Sequence, residues 1–172
     1  MENLLKLMEG PESNYSEAMD RGTTHATIRE AEAGEEERIL PMFEWLFAAP
    51  GSVPPGWDPG DAERPLAETI AGSDSVVLVA EDGERMVGFC TAYMTIESVR
   101  FGRRCWVEEL VVDPGRRSQG IGAALLAAAR RWAADRKATH LKLDSGIARV
   151  DAHRFYEQEG ATWKSYSYSW LL

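Results

Sequence analysis

Cysteine is scarce in this chain: Cys90 and Cys105 are the only two. Two thiols make no disulfide framework, and no Cys/His group has ligand spacing, so no metal site is expected. Both lie in apolar runs, Phe89-Cys90 and Cys105-Trp106-Val107, and read as buried free thiols rather than a bridge. Positive charge is also short. Against 28 Asp and Glu stand 19 Lys and Arg, a formal net charge of -9. That balance speaks against non-specific nucleic-acid binding, which needs clustered cations, and fits an amine-bearing acceptor better. Long apolar runs are missing too. No window approaches a membrane span, and Met1-Glu2-Asn3-Leu4-Leu5-Lys6 is no basic leader before an apolar stretch. The expectation is a soluble cytoplasmic protein with neither nucleic acid nor membrane as partner.

What is present suits one domain: 172 residues, 44% hydrophobic and 27% charged. Residues 1–24 are polar and acidic, with Gly10-Pro11 and Asp20-Arg21-Gly22 as breakers; they read as an extension or one docked helical turn. The domain proper is expected over 25–172. Ala26 to Ala31 reads as a first strand, and Glu35 to Phe47 as an amphipathic helix. Pro50 to Gly60 holds four prolines and three glycines and reads as a loop, although Trp57 is unusual in a mere connector. Asp61 is placed to cap a helix running to Ala71, ended by Gly72.

The continuous apolar run Ser75 to Glu81 marks a strand covered on both faces. Asp82-Gly83 signals a hairpin to Met86–Tyr93, and Arg104–Val112 reads as the next strand. The clearest period follows: Ile121, Ala124, Leu125, Ala128 and Trp132 share one helical face. His140–Leu143 is a short strand, Val150–Glu159 a helix stopped by Gly160, and Thr162–Leu172 a closing aromatic strand. This order predicts an α/β fold, a mixed sheet with helices on both faces.

The turn between Val112 and the long helix carries the chemistry. A helix N-terminus has unpaired amides and a positive dipole end, so a pyrophosphate can accept several backbone hydrogen bonds there. Gly120 and Gly122 clear the approach, and Arg117 adds a charge-assisted donor. No Lys-Ser/Thr follows the glycines, against a Walker-type loop, and the three-glycine dinucleotide fingerprint is absent.

The run Leu110-Val111-Val112-Asp113-Pro114-Gly115-Arg116-Arg117-Ser118-Gln119-Gly120-Ile121-Gly122-Ala123-Ala124 resembles the acetyl-CoA motif of GCN5-related N-acetyltransferases (GNAT). Its R/Q-x-x-G-x-G/A core falls on Arg117, Gly120 and Gly122, and the element order is similar over most of the chain. The resemblance implies the GNAT acyl-CoA N-acyltransferase fold, with two neighbouring strands splayed after a bulge. It further implies acetyl-CoA as co-substrate, its pantetheine arm along Leu110, Val111 and Val112. The pyrophosphate would rest on the amides from Arg117 through Ser118, Gln119, Gly120, Ile121 and Gly122 to Ala123.

Acetyl transfer to an amine has two proton problems: the ammonium must lose one before attack, and the departing thiolate must gain one. Glu108 and Glu109 interrupt an otherwise buried-looking strand, and strict alternation sends them to opposite faces with different roles. A solvated edge or a structural salt bridge would explain either one equally well. By the resemblance Glu108 is the base, directly or through water, and Glu109 orients the substrate or serves as alternative base. Ala152-His153-Arg154-Phe155-Tyr156-Glu157-Gln158-Glu159-Gly160 is similar to the family's A-x-x-x-Y-E-x-x-G, which implies Tyr156 as the acid. Periodicity alone makes Tyr156 a packing residue. Arg149 stands where the family commonly has Asn, and a cofactor contact, a substrate carboxylate or a structural carbonyl are open to it.

Trp45, Trp57, Tyr93, Trp163 and Tyr168 fall in regions that border the acceptor in this family, and aromatic faces with carboxylates suit a cation. The leading expectation is acetylation of a small-molecule primary amine by direct attack in a ternary complex. A protein N-terminus or lysine as acceptor, and a non-catalytic acyl-CoA-binding module, are the alternatives. The aromatic C-terminal strand offers an edge for a homodimer.

Overall fold

The structure, a computed structural model, describes residues 25–170. The expectations for residues 1–24 lie outside the described residues. The apolar run of β2 (Ser75–Asp82) and its partner β3 (Arg85–Met94) form the central hairpin of the sheet. It turns at Gly83, whose φ of +61° is the left-handed conformation that favours glycine in such turns. β1 (Thr27–Glu30) pairs antiparallel with β2, β4 (Arg104–Val112) antiparallel with β3, and β5 (His140–Lys142) parallel with β4. The sheet order is therefore β1-β2-β3-β4-β5, mixed as expected.

Alternation along β2 and β3 feeds two apolar cores, one on each face. On one face α4 (Ile121–Asp135) lays Ile121, Leu125, Ala128 and Trp132 against Leu78, Val87, Cys90 and Val107. On the other, Val77, Val79, Phe89 and Val111 meet Ile39, Met42 and Leu66. Cys90 and Cys105 are buried, free thiols.

The covering helices of this second face differ from the expected pair. The span read as one helix is α1 (Glu36–Ile39), a 3-10 turn (Leu40–Met42) and α2 (Phe43–Phe47). Pro41 offers no N–H to continue the i→i−4 ladder, so the segment tightens there. α3 (Pro59–Ala71) starts three residues earlier than expected. Asp58, not Asp61, is its N-cap, accepting from Gly60 N at 2.8 Å and Asp61 N at 3.3 Å.

The expected closing strand is not formed. Residues 161–170 belong to no strand, and Tyr166, Tyr168 and Trp170 are 83%, 77% and 80% exposed. Aromatic β-propensity needs a partner edge, and the outermost strand, β5, has three residues. Only Trp163 packs inward, 5.8 Å from the Phe101 ring and 6.2 Å from His140. Among the described residues no helix is long and apolar enough to cross a membrane.

Candidate functional site

A register shift in the β3–β4 ladder builds the site. Thr91 faces Glu109 and Ala92 faces Val107, so Glu108 is an extra, unpaired residue, a β-bulge. β4 and β5 pair only from Arg104↔His140 to Trp106↔Lys142 and then separate. Beyond Trp106, no strand among the described residues pairs with β4 on that side. The cleft so opened is lined by Phe47, Glu108, Leu110, Ser145, Arg149 and Tyr156, among others. α5 (Val150–Gln158) carries Tyr156, and Arg149 is its N-cap residue.

The bulge also corrects the reading of the two glutamates. Strict alternation sends them to opposite faces, but the extra residue resets the phase, and both turn to the face that carries Phe89. Thr91 and Tyr93, two apart on β3, hold them there. The Thr91 hydroxyl donates to the Glu109 carboxylate and accepts Glu109 N–H at 3.1 Å. The Tyr93 hydroxyl donates to Glu108 Oε2 at 3.3 Å. Burial, with the Glu108 charge beside it, lifts the Glu109 carboxyl from 4.5 to about 7. Glu108 is exposed and lines the cleft. The Tyr156 phenol is raised, chiefly by burial and further by Cys90, with Arg149 opposing.

At the head of α4 the chain makes a concave run of amides. Asp113 accepts Gly115 N–H at 2.8 Å and Arg85 Nη2 at 2.6 Å, fixing the turn that leaves β4. Ser118 (φ 61°) and Gly120 (φ 78°) are both left-handed, and Gly120, as N-cap, brings no side-chain acceptor to the first turn. Amides from Ser118 to Ala123 are thus left for an external anion. Arg116 is engaged by Asp82 at 2.6 Å and Gln119 at 2.9 Å. Arg117 is exposed, with no ion pair among the described residues. A Cβ on Gly122 would sit 3.5 Å from Phe155, ordinary contact, so alanine fits there within the chain, whereas Gly120 is required by its left-handed φ. Val111 and Ile121 bury their side chains in the two cores and bring only backbone to the cleft and the turn.

Leu110, Val112 and the amides of 117–123 therefore lie along one path, from the open edge of β4 to the helix head. This donor set fits a pyrophosphate with an extended arm. Arg149 donates Nη2 to Leu46 O at 2.7 Å, a structural carbonyl, while also lining the cleft. Gly51 makes room for that contact: a Cβ there would meet Arg149 Nη2 at 2.4 Å. Two contributors escaped the sequence reading as site residues. Ser145 lines the cleft with its Oγ buried and unpartnered, and its only sequence signal is the Ser145-Gly146 pair ahead of Arg149. Thr91 lies in an apolar strand and gives no local signal. Of the five aromatics expected at the acceptor side, Trp57 stacks on Phe43 (5.2 Å) and abuts Phe47 edge-on (4.8 Å). Trp45 packs, partly buried, against the core of Phe89 and Val111, Tyr93 meets Glu108, Trp163 packs beside Phe101, and Tyr168 is exposed and apart.

A mixed sheet splayed at a bulge, with an anion-ready helix head beside the splay, defines a class: α/β acyl-group transferases. The Acetyltransferase (GNAT) family matches over residues 39–161, and the chain belongs to that family. The uncharacterized N-acetyltransferase YhfO of Bacillus subtilis (strain 168) is 32% identical over 135 residues, covering 77% of this chain and 87% of that protein. A transcriptional regulator from Bacillus halodurans C-125 superposes with a TM-score of 0.71 at 28% identity, covering 85% of this chain and all of that one. The aminoglycoside N-acetyltransferase AAC(6')-Iy, solved in complex with CoA, shares the fold at a TM-score of 0.75 and 16% identity, covering 87% of this chain and 96% of that one. The protein is an acetyltransferase.

Proposed function

We propose that the protein transfers the acetyl group of acetyl-CoA to the primary amine of a small molecule, by direct attack in a ternary complex. The observation that carries the reading is the meeting of Glu108 and Tyr156 in one cleft, at the open edge of β4 that leads to the helix head. Bound at that edge, acetyl-CoA supplies an activated thioester carbonyl.

In this reading Leu110 and Val112 offer backbone groups to the pantetheine arm, and the amides of Ser118 to Ala123 hold the pyrophosphate with Arg117. Glu108, exposed at the cleft and oriented by Tyr93, takes the proton of the incoming ammonium, directly or through water. Glu109 orients the acceptor through its carboxyl or stands in as base. Tyr156, its phenol kept protonated by burial, returns a proton to the departing sulfur. Arg149 holds the α2 end against the cleft. An acceptor the size of a small amine, rather than a peptide, suits a cleft walled by Phe47, Leu110 and Tyr156.

Thiol release from acetyl-CoA against a panel of small amines, peptides and lysine-bearing proteins tests the reading. Turnover on small amines that Glu108→Gln suppresses most strongly at low pH supports it. Turnover on peptides alone refutes the acceptor class, and cofactor binding with no turnover on any acceptor refutes the reaction.

A further inference from the structure

On the Glu108 face of the sheet, α1 to α3 cover the end near Phe89 and Val111; at the opposite end no described helix lies over the sheet, and His140 and Trp163 pack beside Phe101. Arg104, Trp106 and Lys142 share that end, since their neighbours Cys105, Val107 and Leu141 point into the α4 core. Its centre is the Phe101 ring. Around it stand Arg100 at 4.6 Å, Arg104 at 5.9 Å and Lys142 at 5.8 Å, measured from cation to ring centroid. None of these three cations joins an ion pair among the described residues, whereas the adjacent Arg103 reaches Asp74 at 3.6 Å. The Nε of Arg104 is buried with no acceptor among the described residues.

In a chain with 28 acidic residues against 19 basic ones, three grouped cations that pair with no carboxylate among the described residues stand out. A buried guanidinium N–H without an acceptor costs free energy unless something supplies one. Mutual repulsion among the three adds to that cost. Glu108 lies four residues along β4 from Arg104, about 13 Å at the usual strand rise. Trp106, opposite Lys142, lies between them on the same face.

We infer that the acceptor amine carries an anionic group, a carboxylate, phosphate or phosphonate, which Arg104 and Lys142 hold over Phe101 while the amine reaches Glu108. This rests on the proposed acetyl transfer to a small amine and names its substrate class. The opposite signs at the two ends of the face orient such a molecule amine-first. They repel a polycation, whose second ammonium would fall among the arginines.

The test compares matched amines with and without the anion, long enough for that span: 6-aminohexanoate and 6-aminohexylphosphonate against 6-aminohexanol and hexylamine, with spermidine as the polycation. Thiol release is read on the wild type, on Arg104→Met and on Lys142→Met. The expected wild-type preference in kcat/KM for the anionic amines is at least about tenfold, the scale of one charge-assisted hydrogen bond. Either substitution should shrink that ratio several-fold, through KM. Equal or better use of 6-aminohexanol or spermidine, or a ratio the variants leave intact, overturns the inference while the acetyl-transfer reading stands. Calorimetric titration of 6-aminohexylphosphonate separates the two further. Binding lost in both variants without turnover on any amine would support the anion site and sink the reaction, and no binding and no turnover would sink both. Thermal unfolding keeps a folding defect in Arg104→Met distinct, since Lys142→Met at the sheet edge must show the same selectivity change.

Discussion

Glu109 should make the protein lose stability as pH rises. Its carboxyl is held at about 7 against an ordinary 4.5, first by burial and then by the Glu108 charge. A carboxyl raised in the folded state binds its proton more tightly there than in the unfolded chain. The folded state is therefore favoured below pH 4.5, and that advantage is lost as pH climbs to about 7, where Glu109 ionises inside the sheet. The difference of about 2.5 pKa units corresponds to roughly 3 kcal/mol. Glu109→Gln removes the ionisation and keeps a polar partner for the Thr91 hydroxyl. Urea unfolding at pH 4.5 and pH 8 should thus show wild-type stability falling by about 3 kcal/mol relative to the variant across that window. Curves for wild type and Glu109→Gln that run parallel over the whole window would refute the argument. So would a variant that gains stability at low pH instead.

Other substitutions probe the site more locally. Gly120→Ala forces a Cβ into a left-handed residue at the helix head, which should cost about 1–2 kcal/mol and raise KM for acetyl-CoA; Gly122→Ala, with room beside Phe155, should do neither in the same thermal and kinetic assays. Tyr156→Phe should lower kcat without weakening cofactor binding, and unchanged turnover over the whole pH range would remove Tyr156 as the acid. Gly51→Ala places a Cβ 2.5 Å from Leu46 O and 2.4 Å from Arg149 Nη2, so it should break the Arg149 contact and destabilise by about 1–3 kcal/mol, read by denaturant midpoint. Leu125→Ala, at 0% exposure in the α4 core, should cost about 2–5 kcal/mol by chemical denaturation.

How much was legible in advance follows the range of the interactions. The turn from Val112 to Ala123 is built by neighbours in sequence: a strand end, a proline turn, glycine at a left-handed position and a regular amphipathic helix. Short-range rules read it directly, and with it the family. The hairpin at Gly83 and the buried pair of β2 and β3 are equally local. Errors appear where local signals compete. Asp58 and Asp61 both satisfy the N-cap pattern, and Pro59 at the first helical position selects Asp58. Pro41 cut a helix whose apolar period ran straight through it.

Long-range pairing accounts for the rest. The aromatic alternation of Trp163 to Trp170 is a propensity, and a strand exists only where an edge accepts its hydrogen bonds. The facing of Glu108 and Glu109 depends on one extra residue in β4 against β3, visible only once Thr91 is set opposite Glu109. Neither segment alone contains that register, because it is a property of the ladder between them. Sequence by itself determined the glycine-marked turn and the helix head with its consecutive amides, since all of its parts are neighbours in the chain. Tertiary structure decided that both glutamates share a face, that Tyr156 and Glu108 line one cleft, and that three cations gather on Phe101. Those groups come from segments far apart in the chain, and only the packed sheet sets the distances on which their chemistry depends.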